Sequence, residues 1–168
     1  LYDSAGTPKT SPFLVYQRQS FEGDDPSVAA TPGGGWIITW DGDINFVTGN
    51  SDILAQRFDA NGNPVGSRTV VPVPANTLRQ DQQVAASGGR VVFSWTDTTT
   101  GNGSFRARLF DAGLAPLTGE LQPSTLPAQP TQESAAAMDG AGNFVVAWVE
   151  QDLEGDGENV LNPTRDGS

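Results

Sequence analysis

Cysteine and histidine are both absent from this 168-residue chain. Without cysteine there is no disulfide and no thiolate metal site. Without histidine there is no Ser-His-Asp or Cys-His arrangement for nucleophilic catalysis, and a zinc site would lack its usual nitrogen and sulfur ligands. Neither Gly-x-Ser-x-Gly nor Ser-x-x-Lys occurs, so the common serine-nucleophile signatures are missing. The phosphate-cradling Gly-x-x-x-x-Gly-Lys is missing as well. Lysine occurs once, at Lys9, and the formal net charge is −11. Such a surface repels nucleic acid and anionic membranes, both of which recruit Lys and Arg, while it favours solubility and attracts cations. No apolar run approaches the roughly 20 residues of a membrane span, so neither nucleic-acid binding nor membrane insertion is expected.

What the chain does contain is a cassette that recurs. Val28-Ala29-Ala30, a glycine turn at Gly33-Gly34-Gly35, Trp36-Ile37-Ile38-Thr39-Trp40, an acidic loop, then Phe58-Asp59-Ala60-Asn61-Gly62-Asn63-Pro64-Val65-Gly66 form the first copy. The second runs Val84-Ala85-Ala86, Gly88-Gly89, Val91-Val92-Phe93-Ser94-Trp95 and Phe110-Asp111-Ala112-Gly113. The third begins at Ala135-Ala136-Ala137 and reaches Phe144-Val145-Val146-Ala147-Trp148. Trp40, Trp95 and Trp148 are 55 and 53 residues apart, and Tyr2-Asp3, Phe58-Asp59 and Phe110-Asp111 are 56 and 52 apart. The two series are offset. Two complete units are therefore expected, flanked by the tail of one unit and the head of another: residues 1–16 as the tail, 17–76 and 77–130 as the repeats, and 131–168 as the incomplete third. Either the chain is cut from a longer array, or tail and head pair to complete a further unit, within a ring or between copies.

The runs ending in Trp40, Trp95 and Trp148 alternate with period two and are rich in β-branched and aromatic residues, as strands are. The preceding alanine-rich triplets join them through tight glycine hairpins. Ile53 to Asp59 and Phe105 to Asp111 give a third strand, Val65 to Val71 and Leu117 to Gln122 a fourth. Asp59 to Pro64 is a turn in which Asp caps, Gly takes positive φ and Pro fixes the exit. No stretch has a 3.6-residue apolar period. The expected fold class is all-β, built of β-propeller-like four-stranded blade repeats, since four short strands per ~50 residues is the blade of a propeller. A β-sandwich array is the alternative.

The stretch Ile53-Leu54-Ala55-Gln56-Arg57-Phe58-Asp59-Ala60-Asn61-Gly62-Asn63-Pro64-Val65-Gly66, taken with the Val-Ala-Ala and Trp anchors, resembles a tandem repeat of large secreted bacterial proteins. Those proteins often also carry RTX-type calcium-binding nonapeptides. The match is closest over Ser27 to Val71, looser in the second unit, and in the third extends to Trp148. The resemblance implies propeller-like repeats, export, and a surface or matrix role, and it brings no catalytic residues with it. No RTX nonapeptide occurs in this chain.

The strongest chemical feature is acidic. Glu150, Asp152, Glu154, Asp156 and Glu158 alternate, which in a plain strand would crowd five carboxylates on one face. A glycine-containing loop around a cation relieves that repulsion. Asp152-Leu153-Glu154-Gly155-Asp156-Gly157 resembles the first half of an EF-hand loop, although Glu154 and Pro163 depart from the pattern. The corresponding loop of the first unit offers Asp41, Asp43, Asn45 and Asp52, again oxygen ligands for a hard cation such as Ca2+. A solvated acidic loop without an ion is the simpler reading of both. The three repeated tryptophans are expected in the core rather than on a sugar face. A pair of catalytic carboxylates for glycoside hydrolysis is arithmetically available among 20 Asp and Glu, but nothing singles one out.

The function expected from the sequence is a non-enzymatic structural or adhesive repeat module of a secreted or cell-surface bacterial protein, stabilised by calcium. Expected partners are calcium, and other repeats or another copy of the chain through open strand edges. The alternatives are a carbohydrate-binding, lectin-like propeller with glycans as partners, a fragment of a larger propeller enzyme, and a self-assembling ring or filament subunit.

Overall fold

The structure is a computed structural model that describes residues 1–17, 25–42, 51–73, 79–99, 103–123, 133–151, 159–161 and 164–165. Among these residues the chain is all-β, with antiparallel sheets and no helix. The first sheet is a meander of β1 (Ser27–Thr31), β2 (Gly35–Gly42), β3 (Asp52–Phe58) and β4 (Pro64–Val70), paired in that order. The second holds β5 (Arg79–Ser87), β6 (Arg90–Asp97) and β7 (Ser104–Asp111). In the third, β8 (Ser134–Met138) pairs with β9 (Phe144–Gln151), which also pairs with the short β10 (Asn159–Leu161) and β11 (Thr164–Arg165).

The fourth strand expected over Leu117 to Gln122 does not form. Only the isolated bridges Phe110↔Pro116 and Ala107↔Leu121 remain. Pro116 has no amide to donate, and the Leu109 amide donates instead to the Thr118 hydroxyl at 3.2 Å, so a side chain interrupts the backbone ladder. Register also revises the alignment of the third unit. Ser27, Gln83 and Ala135 lie opposite Thr39, Ser94 and Ala147, each the residue before a repeated tryptophan. The counterparts of Val28-Ala29-Ala30 are thus Val84-Ala85-Ala86 and Ala136-Ala137-Met138, one residue later than the alanine run suggests by eye.

Alternation along the strands gives each sheet two faces with different duties. Trp95, with Val91 and Phe93, packs toward the first sheet against Ile37, Ile53 and Ala55. Trp148, with Val146, packs toward the second sheet against Val92, Phe105 and Ala107, its indole stacked on the Phe105 ring at 4.8 Å and 9°. Each repeated tryptophan therefore faces the unit before it. Trp40 follows the same rule and meets the N-terminal segment, where Tyr16 stacks on it at 5.4 Å and Phe13 lies 5.8 Å from Phe58. The three tryptophans are buried, as expected from their repetition.

One turn is built four times among the described residues. The Asp3, Asp59, Asp111 and Asp139 carboxylates each accept the amides two and four residues on, at 2.8–2.9 Å. In each, the Asp amide donates to the carbonyl four residues on, at 2.9 Å. The fourth residue of the turn has positive φ: Gly6, Gly62 and Gly142 in three copies and Leu114, at 69°, in the other. Leu114 tolerates a conformation costly for a side chain because that side chain is buried in the core between the first two sheets. The Asp139 copy joins β8 to β9, whereas the Asp59 copy joins β3 to β4. The turn is a portable local unit, not a mark of one place in the repeat.

Candidate functional site

The corrected register puts Asp25, Asp81 and Glu133 at one equivalent position, two residues ahead of the Ser27, Gln83 and Ala135 pairings. Asp25 and Asp81 have φ of 51° and 53°, a left-handed conformation that Asp adopts more readily than most side chains. Around Asp81 the pairing of β5 with β6 slips between Gln80 and Gln83, a bulge that turns these residues out of the ladder. Their carbonyls are then open to the next unit. The Gln82 side-chain amide donates to the Asp25 carbonyl, and the Ser134 hydroxyl donates to the Asp81 carbonyl at 3.0 Å. Gln82 and Ser134 are themselves equivalent positions, so the same stitch is made at both junctions. The Ser27 hydroxyl adds to the first junction by accepting the Val84 amide at 3.2 Å.

These backbones bring their carboxylates into one field. Burial, and then the charges of Asp25, Asp41 and Glu133, raise the Asp81 carboxyl above its ordinary value of 3.8. An acidic rim of this kind strengthens the local attraction for cations. Among the described residues no group of three or more Asp, Glu, His or Cys side chains is close enough to hold a metal. The raised value has a consequence for stability. The unfolded chain ionises Asp81 more easily than the folded one, so the charge lowers stability at neutral pH, and the penalty disappears as pH falls through the raised value toward 3.8. Asp81→Asn keeps the shape and the left-handed backbone while removing the charge. We expect a higher melting temperature than the parent at pH 7, a gain that shrinks to nothing below about pH 4. A gain that persists unchanged in acid would assign the effect to something other than charge.

The residues expected to bind calcium separate into two groups. Asp152, Glu154, Asp156 and Glu158 lie outside the described residues, as do Asp43 and Asn45. Asp41 and Asp52 are described, at the mouth of the β2–β3 loop. The Ser51 hydroxyl is 3.5 Å from Asp41, while Asp52 is held by Arg79 at 3.4 Å. Arg79 is 2% exposed and also donates to the Ser51 carbonyl at 2.9 Å. Burial lowers its pKa, and Asp52, then Asp97 and Glu120, counter that shift. A buried guanidinium thus already neutralises the Asp52 carboxylate. Reading the sequence missed this partner because Arg79 is 27 residues from Asp52 and belongs to the next unit. A lone arginine opening a strand carries no signal of where its head group goes.

A concave feature lies between the N-terminal segment and the first sheet. A groove of about 310 Å³ is lined by Tyr2, Phe13, Val28, Trp36, Ile38 and Phe58, among others. Trp36 is half-buried there, unlike the repeated tryptophans. The wall is apolar almost throughout. A sugar site needs hydrogen-bonding groups placed around its aromatic platform, and this wall offers only the Tyr2 hydroxyl and the Trp36 indole N–H as polar side-chain groups.

No protein-family model matches this sequence, and no curated protein matches it. Solved structures do match the fold. The Trypanosoma rangeli sialidase in complex with the inhibitor DANA superposes with a TM-score of 0.51 at 11% identity, over 98% of this chain and 33% of that one. A second structure of the Trypanosoma rangeli sialidase gives 0.51 at 10%, with the same coverage. The chain therefore spans about a third of the length of the structures it matches, and the likeness is one of fold, between these antiparallel sheets and those of a β-propeller sialidase.

Proposed function

We propose that this chain is a structural repeat module, a run of propeller-type blades in a secreted or surface bacterial protein, acting as a scaffold or adhesive element and not as an enzyme. The observation that carries the reading is what the repeat repeats. The recurring residues are a tryptophan facing the preceding sheet, an aspartate folded into its own turn, and a side chain stitching each unit to the carbonyl before it. All three are joinery. The likeness to the sialidase fold supports blade geometry, though among the described residues no sheet closes into a ring. Calcium belongs to this reading at Asp152, Glu154, Asp156 and Glu158, on the sequence pattern alone. A thermal melt with calcium and with chelator tests it: we expect calcium to raise the melting temperature, because a ligand bound only by the folded state stabilises it. Replacing Asp152, Glu154 and Asp156 together should abolish that rise, and an unchanged rise removes the site from that loop.

The competing reading, a piece of a larger propeller enzyme, is favoured by the sialidase likeness itself. Incubation of the chain with a fluorogenic sialoside separates the two. No turnover is expected, and turnover that scales with protein and survives repurification would overturn the scaffold reading. A glycan array with and without calcium checks the lectin alternative, for which no binding is expected.

A further inference from the structure

The two ends of the stack carry complementary faces that the interior of the chain shows how to join. On the side of each sheet that looks toward the following unit, Ile37, Val92 and Val145 are equivalent by their place three residues before the repeated tryptophans. Ile37 and Val92 are 0% exposed, covered by the second and third sheets, whereas Val145 is 40% exposed. Ala135 and Ala137, on the same face, are exposed too. On the opposite side, Val84 is 5% exposed beneath the first sheet, while its counterpart Val28 is 59% exposed at the rim of the Trp36 groove. Among the described residues, Val145 with its alanines and Val28 are thus open where their counterparts are sealed, while Trp40, in the Val28 row, is already covered by Tyr16.

We propose that these ends join head to tail between two copies of this chain, the Val145 face of one seating in the Val28–Trp36 groove of the other. This deepens the scaffold reading by naming its partner, and it rests on the blade geometry of that reading. Three arguments select a second copy. The contact continues an interface the molecule already makes twice, with aliphatic Val145 and small alanines taking the place that Val92 and Ala85 hold at the second junction. The joint also does without the polar stitch at no cost. The donor position held by Gln82 and Ser134 is Pro26 in the first unit, and the acceptor position, the Glu133 carbonyl, already receives the Val149 amide at 3.1 Å. Neither half of the stitch is stranded by the contact. Finally, the three sheets of the described residues, taken in two copies, make six, within the four to eight blades that close a propeller. A heterologous contact of this kind closes into a ring when its rotation permits.

Native mass across a concentration series tests this. The expected species has twice the 17.6 kDa of one chain. Val145→Asp and Val28→Asp each place a charge in an apolar contact, and because both side chains are exposed in the single chain each variant should fold, as near-UV circular dichroism would verify. Each alone should weaken association at least ~10-fold. Mixed together, the two variants retain one unaltered junction, Val145 of the Val28→Asp chain with Val28 of the Val145→Asp chain, and pairing should partly return. A monomer at every concentration overturns the proposal and leaves the face to a further repeat of a longer chain. A dimer insensitive to both substitutions, or no recovery on mixing, overturns the head-to-tail contact. The sialoside result bears on none of these outcomes, so the two proposals fail separately.

Discussion

Trp148→Ala lowers the unfolding free energy by about 3–5 kcal/mol, the range for emptying a buried large aromatic site. The indole is 1% exposed, lies flat on Phe105, and is the main apolar anchor of the third sheet on the second. Truncation removes its burial, the ring stacking and the filling of the inter-sheet space together. The backbone around it has limited freedom to collapse, because Val146 and Ala136 are paired across β8 and β9 on the same face. Urea denaturation followed by far-UV circular dichroism measures the loss. Trp36→Ala is the matched control. Its indole is half-buried at an open groove, so the same truncation should have a clearly smaller effect. Equal losses at the two positions would mean that the third sheet is not docked on the second through this indole.

Asp52→Ala has the second large effect, about 1.5–3 kcal/mol, the range for a hydrogen bond to a charged group, since Arg79 is buried while Asp52 is 24% exposed. Arg79 remains behind, nearly inaccessible to water, with Asp97 and Glu120 as more distant counter-charges. The loss should shrink when Arg79 is changed to Met in the same chain, because no buried guanidinium then loses its Asp52 contact. This double-mutant cycle also decides what Asp52 is for. As a calcium ligand it would give a loss that depends on calcium and is indifferent to Arg79. As the arginine's partner, which the geometry supports, it gives a loss that depends on Arg79 and is the same in chelator.

Acid should act in opposite directions on two sets of aspartates. Asn63 and Asn143 side chains hold Asp59 and Asp139 below 3.8, and the Thr7 amide does so for Asp3. What these turns contribute is fully present above the ordinary value and fades as pH falls through the lowered ones. The Asp81 penalty fades over a higher window, between its raised value and 3.8.

Much of this architecture was legible in the residues. The tryptophan spacing located the strands that carry the core, and alternation in Trp36 to Trp40 and Val91 to Trp95 showed that both faces are used. The Asp59 to Pro64 turn was readable because a short-range hydrogen-bond pattern specifies it entirely within six residues. Features set by contacts between units were not legible. A run of three alanines looks the same in any register, so the one-residue offset at Ala135 emerged only from pairing with β9. The acidic rim was invisible for the same reason, since it appears once Asp25, Asp81 and Glu133 are known to be equivalent. The missing fourth strand of the second unit turned on Thr118 replacing a backbone donor-acceptor pair with its hydroxyl, a choice no propensity encodes. Asp52 also has a partner that the sequence does not announce, Arg79 in the following unit.

The direction in which the tryptophans face also sets an order of events on the ribosome. Each unit leaves its forward surface, at Ile37 or Val92, uncovered until the tryptophan-bearing strand of the next has emerged some 55 or 53 residues after its own. The nascent chain therefore always carries its unsealed face on the side nearest the exit tunnel, where the next segment arrives first.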